Sequence, residues 1–228
     1  MSTINHLGII MDGNRRWAQK KNLTPQQGHK EGYKKLLEVG QWCLDRDIKM
    51  LTVYAFSTEN WKRDRREVEF LMKLLKKALT EEVEKFNQKG IKIRFLGSRE
   101  KLSRDIIKNI ENIQERTKGN DKGVLNLCFN YGGRLEIVEA VKKIIEKDFK
   151  PKDVTEELIT QHTWLEDVGD PELIIRTSGE KRLSGFLTWQ SVYSEFYFTN
   201  IHWPDFSEEE LDNAVKDFNN RNRKFGGN

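Results

Sequence analysis

Short apolar runs alternating with longer stretches of helical periodicity constrain this chain more than any other feature. The apolar runs are residues 7–11, 50–56, 91–96, 124–130, 173–176 and 196–198, and they predict strands. Helices are predicted over 29–46, 67–89, 100–118, 134–147, 155–161 and 208–223. Strands alternating with helices imply an α/β fold with a mostly parallel sheet. The runs are continuously apolar, which fits strands covered on both faces. The expected class is α/β: a single domain, residues 1–228, with a central mostly parallel β-sheet flanked by helices. No repeat, low-complexity tract or Pro/Gly/Ser-rich linker divides it.

Composition narrows the partners. Hydrophobic residues make up 36% and charged residues 33%, and 40 Lys and Arg against 36 Asp and Glu leave a net charge of +4. The charges are interspersed, unlike the concentrated basic patch of a nucleic-acid binder. The balance suits anionic small-molecule substrates, or transient contact with an acidic membrane surface. Cys43 and Cys128 sit among apolar residues and read as reduced, buried thiols. There is no secretory-signal pattern, and no run approaches the ~20 apolar residues of a membrane span. A cytoplasmic location is expected, peripheral at most to the inner face of a membrane.

Chemistry concentrates in turns that follow apolar runs. Asp12-Gly13-Asn14-Arg15-Arg16-Trp17 follows the first, and the segment from Arg176 through Gly179, Glu180, Arg182 and Leu183 to Ser184 follows the fifth. The carboxyl ends of parallel strands are where open α/β sheets bind ligands. Arginine forks and free backbone N–H groups suit phosphate oxygens. Two such cradles, each with an acid, imply two phosphorylated substrates and a metal ion. Asp12 is the candidate Mg²⁺ carboxylate, bridging to phosphate. Asn14 is expected to cap a helix starting near Arg15. Glu180 is expected to orient an arginine, and Glu195 is a candidate second metal carboxylate.

A third segment, Ser57-Thr58-Glu59-Asn60-Trp61 with Arg63, mixes hydroxyl, amide, acid and base and suits substrate orientation and proton handling. His29, at an expected helix start, could donate to phosphate. The 67–89 helix carries an apolar face that Phe70 and Leu74 broaden, which fits a cleft for a hydrocarbon ligand. The chain has no G-x-x-x-x-G-K-[ST], no G-x-G-x-x-G and no D-D-x-x-D.

These motifs, with Gly28-His29, Asn130-Tyr131-Gly132-Gly133-Arg134 and Trp203-Pro204-Asp205-Phe206, resemble the cis-prenyltransferase family, bacterial undecaprenyl diphosphate synthases in particular. The resemblance implies a homodimer. It implies Mg²⁺-dependent condensation of isopentenyl diphosphate onto an allylic diphosphate, typically farnesyl diphosphate, giving a long polyprenyl diphosphate for a cell-wall carrier lipid. It assigns Asp12 to metal and diphosphate. Gly13, Asn14, Arg15, Arg16, Trp17 and His29 would surround the allylic diphosphate. Ser57, Thr58, Glu59 and Asn60 would border the reacting carbons, with Asn60 as proton acceptor and Trp61 and Arg63 completing the wall. Arg176, Arg182, Leu183 and Ser184 would hold isopentenyl diphosphate. Glu195 would add a metal contact, across the dimer interface in one reading. A product tunnel is expected along Ala55, Phe70, Leu71, Leu74 and Leu75.

The chain departs from the family pattern in having Arg15 for Gly, Pro25 for Arg, Asp64 for Pro, Ser178 for Gly and Gly185 for Asn. Two other readings stand beside the enzyme: a non-catalytic phosphate-binding subunit of the same family, and an RNA- or nucleotide-binding protein using the charges of residues 62–66.

Overall fold

The computed structural model describes residues 4–221. Its strands are β1 (His6–Ile10), β2 (Met50–Ser57), β3 (Ile91–Leu96), β4 (Gly123–Tyr131), β5 (Leu173–Arg176) and β6 (Glu195–Phe198). They form one sheet in the order β3-β4-β2-β1-β5-β6, and every pair is parallel. The helices are α1 (Asn14–Lys20), α2 (Pro25–Asp45), α3 (Arg65–Glu81), α4 (Val83–Gln88), α5 (Arg104–Thr117), α6 (Gly133–Glu146), α7 (Glu156–Thr160) and α8 (Glu208–Asn220). Among the described residues no helix is long and apolar enough to cross a membrane.

Successive strand residues feed two cores, as the continuous apolar runs require. Ile9, Phe129 and Ile175 pack with α2, α3, α5 and α8 on one face. Their neighbours Ile10, Cys128 and Ile174 pack with Leu165, Phe186 and Leu187 on the other. The exposed edge of β3 is blunted by α5, whose Thr117 hydroxyl and Gln114 carbonyl accept from the Ile93 and Phe95 N–H groups.

Three expectations need correction. First, the long 67–89 helix is two helices that meet at Glu82. The Thr80 hydroxyl donates back to the Lys76 and Lys77 carbonyls just before the break, a pairing that bends helices. Second, Asn14 is not a cap. Gly13, in the left-handed region at φ 107°, starts α1, and the Asn14 amide donates to Met11 O instead. Third, α2 begins at Pro25 rather than His29. Thr24 and Gln27 form a reciprocal capping box there, with proline at the first helical position. Residues 222 and 223 of the last expected helix lie outside the described residues.

Glycines bring α1 against α2. A Cβ on Gly28 would lie 2.2 Å from the Asn14 carbonyl oxygen, and one on Gly32 would lie 2.0 Å from the Asn14 side-chain oxygen. One turn apart on α2, they form a smooth seat for the start of α1. Gly32→Ala should therefore push the Asp12–Asn14 turn off α2 and cost about 1–3 kcal/mol, as overpacking does, read by urea unfolding.

Candidate active site

The register of the sheet puts the two cradles face to face. Ile10 of β1 pairs with Arg176 of β5, so Asp12 and Arg176 leave adjacent strand tips together. Arg176 Nη2 donates to Asp12 Oδ2 at 2.9 Å, and Arg16 Nη2 meets Asp12 Oδ1 at 3.1 Å. The Thr177 hydroxyl donates to Asp12 O at 2.7 Å, and Arg16 Nη1 to Ser178 O at 3.2 Å. Glu180 pairs with Arg16 at 3.4 Å and also with Arg182, so one carboxylate ties both cradles. Arg176 is 4% exposed, and its Nη1 donates to Ser184 Oγ and Arg182 O.

Positive backbone torsions shape the second cradle. Ser178 has φ 76°, and its hydroxyl is 2.7 Å from His202 Nδ1. Gly13 is closed in by this pair, since a Cβ there would meet Ser178 Oγ at 2.7 Å. Burial first, then Lys20 and Arg16, lowers the pKa of the His202 imidazole.

Three cavities open around these turns. A polar one is walled by Asp12, Gly13, Arg15, Arg16, Pro25 and Arg63. A second brings Asp12, Ser57, Asn60 and Arg63 together with Arg176 and Ser184, and adds Tyr54. A third, with a cavity volume of about 120 Å³ and mostly apolar, is lined by Tyr33, Leu36, Ala55, Leu71, Leu74 and Leu75 among others. Met11, Asn14 and His29 line all three, so the three cavities adjoin at these residues.

Sequence reasoning missed Glu67. It is 5% exposed in the first turn of α3. It sits 3.1 Å from His29 Nε2 on α2, accepts from Arg63 Nη1 at 2.9 Å and lies 3.7 Å from Arg15 on α1. The His29 hydrogen bond, then Arg63 and Arg15, hold its carboxyl below the usual range against the opposing effect of burial. Glu67 thus ties the roof helix to the phosphate turn. A lone Glu inside a charge run gave no signal, because its partners come from three separate helices or turns. Tyr54 was also missed as a wall residue. Its ring stacks on Phe186, and its hydroxyl donates to Ser184 O at 3.4 Å.

Several expected residues do not line these cavities. Trp17 is buried and donates to Asp205 at 2.6 Å, bracing the turn from below. Trp61 donates to Asn130 at 2.7 Å and packs edge-on against Phe56. Thr58 lies against Gly132, Glu59 points to solvent, and Leu183 packs with the second core. The Arg182 side chain is exposed and held by Glu180. Phe70 is half-buried just outside the α3 arc made by Leu71, Leu74, Leu75 and Ala78. Glu195 begins β6, level with Leu173 and hence with Leu7 at the opposite end of the sheet. It pairs with Arg221 at 2.5 Å, so within one chain it does not join Asp12.

If Glu67 is the tie, Glu67→Ala should leave His29 and Arg63 without their acceptor and cost about 1–3 kcal/mol in urea unfolding. Glu67→Gln, which keeps one acceptor oxygen, should cost less. Both should weaken binding of inorganic pyrophosphate in calorimetry.

Comparison with known proteins gives the family. The profile of the family described as "Putative undecaprenyl diphosphate synthase" matches residues 10–226. An isoprenyl transferase of Thermotoga maritima is 46% identical over 225 residues, covering 97% of this chain and 96% of that protein. One of Prochlorococcus marinus is 47% identical over 226 residues, covering 97% and 83%. The crystal structure of lavandulyl diphosphate synthase from Lavandula x intermedia, in complex with dimethylallyl diphosphate, superposes with TM-score 0.94 at 33% identity, covering 99% of each chain. That of a probable undecaprenyl diphosphate synthase from Campylobacter jejuni gives 0.83 at 35% identity, covering 100% of each. The chain belongs to this prenyltransferase family and is an isoprenyl transferase.

Proposed function

We propose that the protein condenses isopentenyl diphosphate repeatedly onto an allylic diphosphate, with farnesyl diphosphate as starter, to give a long polyprenyl diphosphate of the undecaprenyl class. The observation that carries this is the shared wall: the two cavities at the cradles and the apolar chamber meet at Met11, Asn14 and His29. The allylic head is assigned to the polar cavity with Arg15, Arg16 and His29. Pro25 lines that cavity too, so Arg15 supplies there the cation that the family pattern carries at position 25. Isopentenyl diphosphate is assigned to Arg176, Arg182 and Ser184. Dimethylallyl diphosphate bound to the lavender homologue supports an allylic pocket in this fold.

Asp12 is the one carboxylate lining the polar cavity and its neighbour. Mg²⁺ usually binds through one or two carboxylates plus substrate phosphates, so this donor set fits it, and the bound ion would neutralise diphosphate charge. The guanidinium groups of Arg16 and Arg176 on either side of Asp12 oppose the charge that grows as the allylic C–O bond breaks. A C–C bond forms to the isopentenyl alkene, and the proton lost leaves on a diphosphate oxygen. Asn60 orients that step; its Oδ1 already accepts from Ser57 N–H at 3.1 Å. Each buried CH₂ adds about 0.8 kcal/mol to retention of the tail, which favours repeated addition.

Homodimerisation has a place in the fold. Val138, Val141 and Ile145 form a stripe on α6, and Val192 and Tyr193 stand beside β6; Ile145 and Val192 are each 70% exposed. Such a patch marks an interface, here for a second copy. Glu195 starts two residues after Tyr193, so docking there would bring Glu195 to the partner.

Incubation with both diphosphates and Mg²⁺, followed by chain-length separation, should give a long polyprenyl ladder, and a chelator should abolish it. Asp12→Ala should lower turnover at least ~10²-fold with unchanged circular dichroism. Leu74→Trp or Ala55→Trp should shorten the product. Short-only product from the wild type, or unchanged length in both Trp variants, would refute the assignment.

A further inference from the structure

The segment 199–203 follows β6 and hydrogen-bonds both cradle turns. Its Thr199 and Ile201 carbonyls accept from the Gly179 and Ser178 N–H groups, each at 2.8 Å, and its Trp203 N–H donates to Asp12 O at 3.0 Å. His202 stands between the bond to one turn and the bond to the other. Its Nδ1 is 2.7 Å from Ser178 Oγ. Its Nε2 is buried without a partner, so Ser178 is the ring's one hydrogen-bond partner among the described residues. Neither side chain lines the polar cavity or its neighbour. Whatever this pair does for the site, it does from behind.

Ser178 is one of the places where the chain departs from the glycine of the family pattern. At φ 76° it lies in the left-handed region, which glycine enters freely and a residue with a Cβ does not. That conformation has a consequence, because the Ser178 carbonyl accepts from Arg16 Nη1 at 3.2 Å. Arg16 in turn meets Asp12 Oδ1 at 3.1 Å and lines the polar cavity. The two side chains also shut the space behind Gly13, where a Cβ would lie 2.7 Å from Ser178 Oγ and 2.9 Å from His202 Nδ1.

We propose that Ser178 and His202 form a positioning pair for the allylic diphosphate site: their hydrogen bond holds Ser178 in the conformation from which its carbonyl aims Arg16, and their side chains fix Gly13 from behind. The inference rests on the assignment of Arg16 to that diphosphate and adds the two residues that place it. A glycine at 178 would reach the same torsion unaided and leave the back of Gly13 open. Serine needs the imidazole to offset its backbone cost, so the two residues act as one unit. The isopentenyl side is held by the separate bond from Arg176 Nη1 to Ser184 Oγ at 2.9 Å and does not depend on them.

The test measures KM for farnesyl and isopentenyl diphosphates, and pyrophosphate affinity by calorimetry, in wild type, Ser178→Ala, His202→Ala, the double variant and His202→Asn. Each Ala variant should raise the farnesyl diphosphate KM roughly tenfold, the scale of one lost buried hydrogen bond. The isopentenyl diphosphate KM should stay near the wild-type value. The double variant should be no worse than either single one, since both remove the same bond. His202→Asn, whose amide reaches the place of Nδ1, should recover most of the loss. Ser178→Gly covers the case in which Ala unfolds the turn, and should lose less than Ser178→Ala because it sheds the backbone cost along with the bond. Additive losses, equal KM changes for the two substrates, or an Asn variant no better than Ala overturns the inference. A wild type that binds pyrophosphate but not farnesyl diphosphate overturns the starter reading alone, and the pyrophosphate affinities of the variants then decide the pair by the same pattern.

Discussion

The pairing of β1 with β5 is the constraint on which the rest of this site depends. Parallel neighbours end at the same side of a sheet, so two turns distant in sequence leave side by side. The Ile10–Arg176 register then sets Asp12 against the Arg176 guanidinium, which holds Asp12, Ser184 and the Arg182 carbonyl at once. An arginine so deeply buried must be paired, and Asp12 is the charged partner. The same carboxylate faces the cavity where a phosphate-bound cation would sit. Structural and chemical demands thus converge on one ion pair.

Around it the molecule spends little on flexibility at the phosphate turn and keeps its apolar volume elsewhere. Gly28 and Gly32 let α1 lie on α2, and Glu67 pulls α3 onto both through His29, Arg63 and Arg15. Trp17 and Trp203 brace the turn through Asp205 and the Gly32 carbonyl. The tail chamber lies between α2, α3 and the sheet, where small Ala55 and Ala78 leave room. On the proposed reading, this cross-linked frame would grip the substrate heads, while nonpolar walls would recognise little of the tail but its length.

Much of this was legible before any coordinates. Continuous apolar runs announced strands buried on both faces, and the six strands fall where expected within a residue or two. Asp12, Arg176 and Ser184 stood out because acids, arginines and hydroxyls cluster after strand ends. Four of the five expected tunnel residues line the apolar chamber. What failed was local or long-range. Thr80 back-bonding bends the 67–89 helix, which hydrophobic periodicity does not register. Trp17 and Trp61 belong to functional-looking motifs but face inward, since a motif names residues and not the direction of their side chains. Glu67 acquires meaning only when three elements converge on it. Glu195 lies at the end of its own sheet away from Asp12, because β6 runs parallel to β5 and begins with it, which leaves the reading across a dimer interface.

The central claim is that both diphosphates lie in one connected space on either side of Asp12. The most direct measurement is a crystal structure of the protein with Mg²⁺, a non-hydrolysable allylic diphosphate and isopentenyl diphosphate. The account predicts one head against Arg15, Arg16 and His29 and the other against Arg176, Arg182 and Ser184, with Asp12 between them and the allylic tail running toward Leu36. Two heads in separate cavities, or a tail leading away from α2 and α3, would contradict it.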